Sequence, residues 1–224
     1  MTAPAFFLTG TDTEIGKTFI TCALLERARR DGLQAAGLKP VAAGTDEQGR
    51  NDDVERIKAA SSVVLPDEII NPYCFTAAIA PHIAAAEEGR SIDFPPIVAA
   101  TATARRQADL VIVEGVGGFC VPLGVHRSSA DLAVELGLPV IMVVGMRLGC
   151  INHALLTAEA ITARGLKLVG WVANRVDPAM SRFDENLACL KEMLSAPCLG
   201  SVPYLASGDA IAAAGALKLP ELLG

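Results

Sequence analysis

The chain opens with a short apolar run, Ala5-Phe6-Phe7-Leu8, that leads into Gly10-Thr11-Asp12-Thr13-Glu14-Ile15-Gly16-Lys17-Thr18. An apolar strand, a glycine-punctuated turn and Gly-Lys-Thr opening a helix form the layout of a phosphate-binding loop, or P-loop. Such a loop works only when a strand delivers it and a helix leaves it, so it constrains the fold around it. At the helix start the first backbone N–H groups have no carbonyl partner, and the helix dipole favours an anion there. Lys17 is placed to reach β- and γ-phosphates as a point charge, and Thr18 to offer its hydroxyl to Mg²⁺. The spacing departs from the standard motif: Thr11 stands six residues before Lys17, and Gly10 one residue earlier.

The rest of the chain alternates strand-like and helix-like segments, the pattern of a mainly parallel sheet wrapped by helices. The predicted architecture is α/β, a three-layer P-loop NTPase-like fold occupying residues 1–224 as one domain. Apolar positions at Phe19, Cys22, Ala23, Leu25 and Ala28 predict a helix to about Asp31, ended by Gly32. A second strand is expected over Ala35–Pro40, then a polar loop over Gly44–Arg50 and a short helix from about Asn51. Pro66–Pro96 is proline-rich, with two possible short helices. The apolar runs Leu110–Val113, Pro139–Val144 and Leu168–Ala173 read as strands buried on both faces. Helices fit Ser128–Leu136, Asn152–Arg164 and Ser181–Leu194.

Composition excludes several classes of function. Apolar residues make up 51% of the 224, and mean hydropathy is +0.40. Yet the longest apolar run, Leu138–Met146, contains Pro139 and Gly145 and falls far short of the ~20 residues a spanning helix needs. A net charge of -6 argues against nucleic acid, whose phosphates demand a basic face. The six cysteines form no Cys-x-x-Cys pair and no zinc-like spacing, and no signal peptide is evident. A cytoplasmic protein without a membrane or nucleic-acid partner is expected.

In open parallel sheets, ligands bind at the carboxyl ends of strands, so polar residues there carry most weight. Lys39 ends the second strand and is followed by Pro40. It reads either as a snorkelling edge lysine or as a cation that meets developing charge on a substrate or phosphate. Asp52 and Asp53 stand at a helix start, where capping and metal binding are both open readings. Glu114 ends the strand Leu110–Val113 and precedes Gly115-Val116-Gly117-Gly118, which suits a Mg²⁺ carboxylate followed by backbone that approaches a ligand. The run does not satisfy G-x-G-x-x-G, because Cys120 takes the last position. Gly149-Cys150-Ile151-Asn152 opens a helix whose N–H groups could hold a second anion, or Asn152 simply caps that helix. His82, His126 and His153 form no cluster and read as structural.

Taken together, the segments GTDTEIGKT (Gly10–Thr18), GLKPVAAG (Gly37–Gly44), Asn71-Pro72-Tyr73, Ala80-Pro81-His82, EGVGG (Glu114–Gly118), LGCINH (Leu148–His153) and GWVAN (Gly170–Asn174) closely resemble the dethiobiotin synthase family. The resemblance runs from the first strand to about Leu205, and the unusual P-loop spacing is the family's own. It implies an ATP- and Mg²⁺-dependent cyclo-ligase of biotin biosynthesis that takes 7,8-diaminopelargonate, CO₂ and ATP to dethiobiotin, ADP and phosphate. By similarity, Thr18, Asp53 and Glu114 hold Mg²⁺. Lys17 and Lys39, with Thr13, serve the phosphoryl and carbamate chemistry. Glu14, Ile15, Gly16, Lys17, Thr18 and Phe19 line the nucleotide phosphates, joined on the nucleotide by Gly115, Val116 and Gly117. Asn174 matches the family's adenine-reading asparagine, followed by Arg175, and Pro203-Tyr204-Leu205 match the segment that covers the base. The diamino acid is expected at the interface of a homodimer, against Lys39 and Ala43 of one chain and Gly149, Cys150 and Asn152 of the other. Two departures stand out. Ala43 replaces a hydroxyl residue found in some relatives, and Ala210 lies where an acidic ribose contact is expected, with Asp209 a candidate substitute. The main competing reading is a partitioning-type switch ATPase. Such proteins carry a second lysine early in the loop, where Thr11-Asp12-Thr13-Glu14 has none. An amidating ligase of corrinoid type would need a further glutaminase domain.

Overall fold

Alternate side chains of the first strand face opposite ways, and each set is fully buried, so the strand must lie between two layers. The computed structural model, which describes residues 2–206 and 208–221, places it there. Along the chain the elements are β1 (Ala5–Gly10), α1 (Lys17–Arg30), β2 (Ala35–Leu38), β3 (Val41–Ala43), α2 (Asp52–Ala60), α3 (Asp67–Ile70), β4 (Tyr73–Phe75) and α4 (Pro81–Glu87). They continue with α5 (Phe94–Gln107), β5 (Leu110–Glu114), β6 (Pro122–Gly124), β7 (Arg127–Ser128), α6 (Ser129–Leu136), β8 (Val140–Met146) and α7 (Cys150–Ala163). The last are β9 (Leu168–Arg175), α8 (Phe183–Met193), β10 (Cys198–Val202) and α9 (Ala210–Ala214).

The central sheet has the order β10-β9-β8-β1-β5-β2, and every pairing in it is parallel. Phe6 and Leu8 pack on one face with Ile20 and Leu24 of α1, while Ala5 and Phe7 pack on the other with Ala104 of α5 and Ala130 of α6. Fully burying side chains of this size contributes about 1.5–3 kcal/mol each. Strand order reverses at β1: the chain crosses to β2 and β5 on one side, then to β8 on the other. The crevice beyond the carboxyl end of β1 is therefore the topological switch point where ligands bind in such sheets.

Helix α1 ends as expected. Gly32 adopts φ +83°, and Leu33 N–H donates to Ala28 O at 3.0 Å, a Schellman closure that needs glycine at the left-handed position. Helix α6 starts with a reciprocal capping box between Ser128 and Asp131.

Two expectations are corrected, and one helix is new. The strand expected over Ala35–Pro40 stops at Leu38, because Pro40 has no N–H to continue the ladder. The chain resumes as β3, which pairs with β4 in a separate two-stranded parallel sheet. The two short helices expected in Pro66–Pro96 are α3 and α4, and the 14-residue α5 that follows, with Pro95 and Pro96 in its first turn where a missing N–H costs nothing, has no counterpart among the expected helices. Helix α7 begins at Cys150 with Gly149 as its N-cap, so Asn152 lies within the first turn.

Candidate active site

The P-loop leaves β1 at the switch point. Ile15 is its apolar anchor: the side chain is buried and lies between Gly10 and Gly145, at each of which an added Cβ would strike it. Gly16 takes φ +81° and caps α1 without a side-chain hydrogen bond, so the first-turn N–H groups remain open to a ligand. Lys17 Nζ donates to Asp12 O at 2.8 Å. Burial pushes its pKa down to about 8, with Glu114 opposing and Lys39 adding to the fall.

Beside this loop, three elements bring their polar ends to one point. Glu114, at the end of β5, has a fully buried side chain. Its Oε1 accepts from Thr18 Oγ1 at 2.7 Å and its Oε2 from Thr21 Oγ1 at 2.6 Å. Lys39, just past β2, donates from Nζ to Glu114 Oε1 at 2.9 Å, reaches Thr18 Oγ1 at 3.4 Å and pairs with Asp53 Oδ2. Burial alone would lower the Lys39 pKa, but Glu114 and Asp53 outweigh it and hold it above the ordinary lysine value. For Asp53, burial works to raise the pKa, yet Lys39 holds it below the ordinary carboxylate range. The backbone of Lys39 is fixed independently of its charge: its N–H donates to Ile70 O, and its carbonyl accepts from Asn71 Nδ2 at 2.6 Å. Of the two readings open for Lys39, the snorkelling edge lysine is excluded: its ammonium is buried and shared by Thr18, Asp53 and Glu114.

The capping question at α2 is also resolved. Asn51 is the N-cap, accepting from Val54 N at 3.2 Å, which leaves Asp53 to meet Lys39 while Asp52 is exposed.

The cavity over this cluster measures about 800 Å³. Thr13, Glu14, Gly16, Lys17, Thr18 and Phe19 form its P-loop wall, and Lys39, Ala43 and Asp53 a second. Val116 and Gly117 approach from the glycine run, where Gly117 needs φ +61° and a Cβ on Gly115 would strike the Phe7 ring. Asn51, Arg56 and Ala78–Pro81 also line it; the family resemblance reaches Ala80 and Pro81, and no site reading of the sequence includes the others. The signal for Arg56 was its place three residues after Asp53 on the same helix face, and Thr21 stands likewise after Thr18.

Other candidates lie outside this cavity. Asn174, at the end of β9, is buried and donates from Nδ2 to Ile15 O at 2.8 Å. Arg175 stacks over the Phe183 ring and donates to Pro178 O at 2.9 Å, so it braces its own loop. Pro203 and Tyr204 are exposed beyond β10, and Leu205 packs against the α1 core. Gly149, Cys150 and Asn152 follow β8. The Cys150 side chain is buried and its N–H donates to Arg147 O, so the N–H groups of Ile151 and Asn152 are those left open at the start of α7. Asp209 Oδ1 accepts from Ile211 N and Ala212 N and so caps α9.

A matching family model, described as an AAA domain, covers residues 4–211. The chain is 60% identical over 224 residues to the ATP-dependent dethiobiotin synthetase BioD of Aromatoleum aromaticum, covering 98% of this chain and all of that one. The chain belongs to the dethiobiotin synthetase family. Solved structures support the P-loop NTPase fold. The Aquifex aeolicus MinC:MinD complex aligns over 96% of this chain and 92% of that one (TM-score 0.57, 13% identity). A ParA family ATPase from Chlorobium tepidum aligns over 95% and 89% (0.55, 13%). The GDP complex of the receptor FtsY from Elizabethkingia anophelis aligns over 98% of this chain but 61% of that one (0.52, 15%). At these identities the likeness is one of fold.

Gly16 gives a direct test of the loop's tolerance. A Cβ there would lie against Asn174 Nδ2, on a short buried side chain with little room to yield. The left-handed conformation adds about 1–2 kcal/mol for any other residue. Gly16→Ala is expected to weaken ATP binding at least about tenfold, the equivalent of 1.4 kcal/mol; calorimetric titration with MgATP checks it.

Proposed function

We infer that the chain, acting as a single domain, catalyses ATP-dependent closure of the ureido ring of dethiobiotin from 7,8-diaminopelargonate and CO₂, a step of biotin biosynthesis. The observation that carries this is the placement of Lys39: a buried ammonium from a neighbouring strand meets Thr18, Asp53 and Glu114 where the P-loop would present a γ-phosphate.

In this reading one amine of the diamine takes up CO₂ and loses a proton to give a carbamate. A carbamate oxygen attacks the γ-phosphorus and ADP leaves. The second amine then attacks the carbonyl carbon of the mixed anhydride, phosphate departs and a proton is lost. The anhydride is already activated, so no protein nucleophile is needed; the protein orients the reactants and stabilises charge. Lys17 and the N–H groups of Gly16 to Phe19 receive the phosphates. Lys39 leaves its carboxylate partners for the carbamate and the transferring phosphoryl group, with Thr13 beside it and Ala43 offering no hydroxyl.

Thr18, Asp53 and Glu114 fit Mg²⁺. They present hard oxygen donors around a point where a cation, the Lys39 ammonium, already sits. Among the described residues no three His, Cys, Asp or Glu side chains gather at one point, this one included. Two carboxylates and a hydroxyl suit an ion that keeps waters and takes substrate phosphates as ligands. Bound there, the metal would neutralise charge across the β- and γ-phosphates. Chelation of Mg²⁺ is expected to abolish diamine-dependent phosphate release, and added Mg²⁺ to restore it.

The homodimer with substrate at its interface is part of the same proposal. Gly149, Cys150 and Asn152 lie off their own chain's cavity, and next to them Leu148 is 94% exposed and Leu156 56%. On this reading the backbone at Ile151 and Asn152 of the partner subunit receives the substrate carboxylate. Mixing Lys39→Ala and Asn152→Pro proteins tests it, because the proline removes a backbone N–H in the first turn of α7, where no intrahelical bond is lost. Random reassociation leaves half the dimers mixed, each with one intact site, so about one quarter of parent activity returns at low diamine. No recovery would remove the shared site. The six free thiols fit a reducing, cytoplasmic location, and no helix among the described residues is long and apolar enough to cross a membrane.

The switch-ATPase reading draws on the fold likeness alone. Thr11 to Glu14 supply no loop lysine, and the ammonium at the phosphate site comes from Lys39 instead.

A further inference from the structure

The structure assigns Asn174 a positioning role: we propose that its amide clamps the P-loop in polyphosphate-binding form, whatever base the nucleotide carries. Asn174 Nδ2 donates to Ile15 O at 2.8 Å across 159 residues of sequence, and among the described residues this carbonyl accepts no other hydrogen bond. A P-loop turns its N–H groups inward to the anion, so its carbonyls face outward into protein and need donors there. In a trans peptide the C=O and N–H point in opposite directions. Holding Ile15 O from the β9 side therefore aims the Gly16 N–H away from Asn174, and Gly16 lines the phosphate cavity.

The rest of the loop makes this contact matter. Its first half is docked on β8, with Thr11 N–H on Val143 O at 3.0 Å and Thr11 Oγ1 accepting from Gly145 N at 3.4 Å. The Ile15 side chain is pegged between Gly10 and Gly145. Gly16 has no Cβ to restrict it at φ +81°, so its peptide planes depend on hydrogen bonds to hold them. The Asn174 amide is the tie that fixes the plane between Ile15 and Gly16. One amide N–H is spent on it, and the remaining N–H and Oδ1 stay available for a base.

The proposal rests on reading Thr11–Phe19 as a phosphate cradle, and a ligand without a base separates the two ideas. The full chain is titrated calorimetrically with magnesium tripolyphosphate and with MgATP, as parent and as Asn174→Ala. The clamp predicts about five- to tenfold weaker tripolyphosphate binding in the variant, the size of one lost hydrogen bond, with ATP weakened further by the lost base contact. A thermal melt shows that the variant is folded. Asn174→Leu, which keeps about the same volume and removes the donor without adding a charge, gives the same ratio if the alanine variant does not fold. Tripolyphosphate binding at parent strength in both variants overturns the clamp and leaves Asn174 a base reader alone. A parent protein that binds ATP but no tripolyphosphate overturns the cradle reading itself, and the clamp with it.

Discussion

Lys39→Ala is expected to turn over about 10²–10³-fold more slowly than the parent, the usual loss when one preorganised charge is taken from a transition state. The KM for ATP should change far less, because Lys17 and the P-loop amides still hold the nucleotide. The variant also leaves Glu114 and Asp53 facing each other without their shared cation. Breaking a buried pair costs about 3–5 kcal/mol, and the Asp53 side chain, 41% exposed, places this case near the low end. Lys39→Met keeps the buried stem and separates lost packing from lost charge. Steady-state kinetics on folded protein decide the matter. Parent-like kcat and KM in both variants would remove Lys39 from the mechanism.

Glu114→Ala is expected to be harsher, because Glu114 is the hub of the site. Its two oxygens accept from Thr18, Thr21 and Lys39, and its side chain is wholly buried. Removing it strands two hydroxyls and leaves Lys39 with Asp53 as its remaining carboxylate partner, so a loss of about 3 kcal/mol in stability accompanies the loss of activity. Lys17, already near 8 through burial, loses an opposing anion and is driven further toward its neutral form. Glu114→Gln preserves the shape and isolates the charge. It should melt closer to the parent while losing the dependence of ATP binding on Mg²⁺. Thermal melts paired with titrations at varied Mg²⁺ check both statements, and unchanged Mg²⁺ dependence in Glu114→Gln would take Glu114 out of the metal set.

What the sequence revealed follows the range of the forces involved. β1, α1, β5, β8 and α6 were legible because local patterns specify them: apolar runs, Gly32 at a helix end and Ser128 with Asp131 at a helix start. The break at Lys39-Pro40 was misplaced because β3 takes its partner, β4, from a distant stretch, and no local pattern states a long-range pairing. Helix α5 was missed because two prolines and an alanine-rich middle hide its short apolar stripe of Phe94, Ile97, Ala100, Thr101 and Ala104. At the site, the P-loop motif pointed to Lys17 and residue types at strand ends to Lys39 and Glu114, and the family resemblance extended this to Asp53 and Asn174. Pattern alone left Asp53 between cap and ligand; the cap falls to Asn51, and Asp53 pairs with Lys39. The contact between Asn174 and Ile15 had no local signal at all, since only the alignment of β9 beside β8 brings the two together.

The central claim is ring closure coupled to ATP cleavage, and one measurement reaches it directly. The purified protein is incubated with MgATP and ¹³C-bicarbonate, with and without 7,8-diaminopelargonate, while ADP, phosphate and dethiobiotin are followed together by mass spectrometry. The expected result is ADP and phosphate formed only with the diamine, each matched by one dethiobiotin carrying the ¹³C label in its ureido carbonyl. ATP cleavage indifferent to the diamine, with no labelled ring product, would contradict the account and favour a switch ATPase built on the same fold.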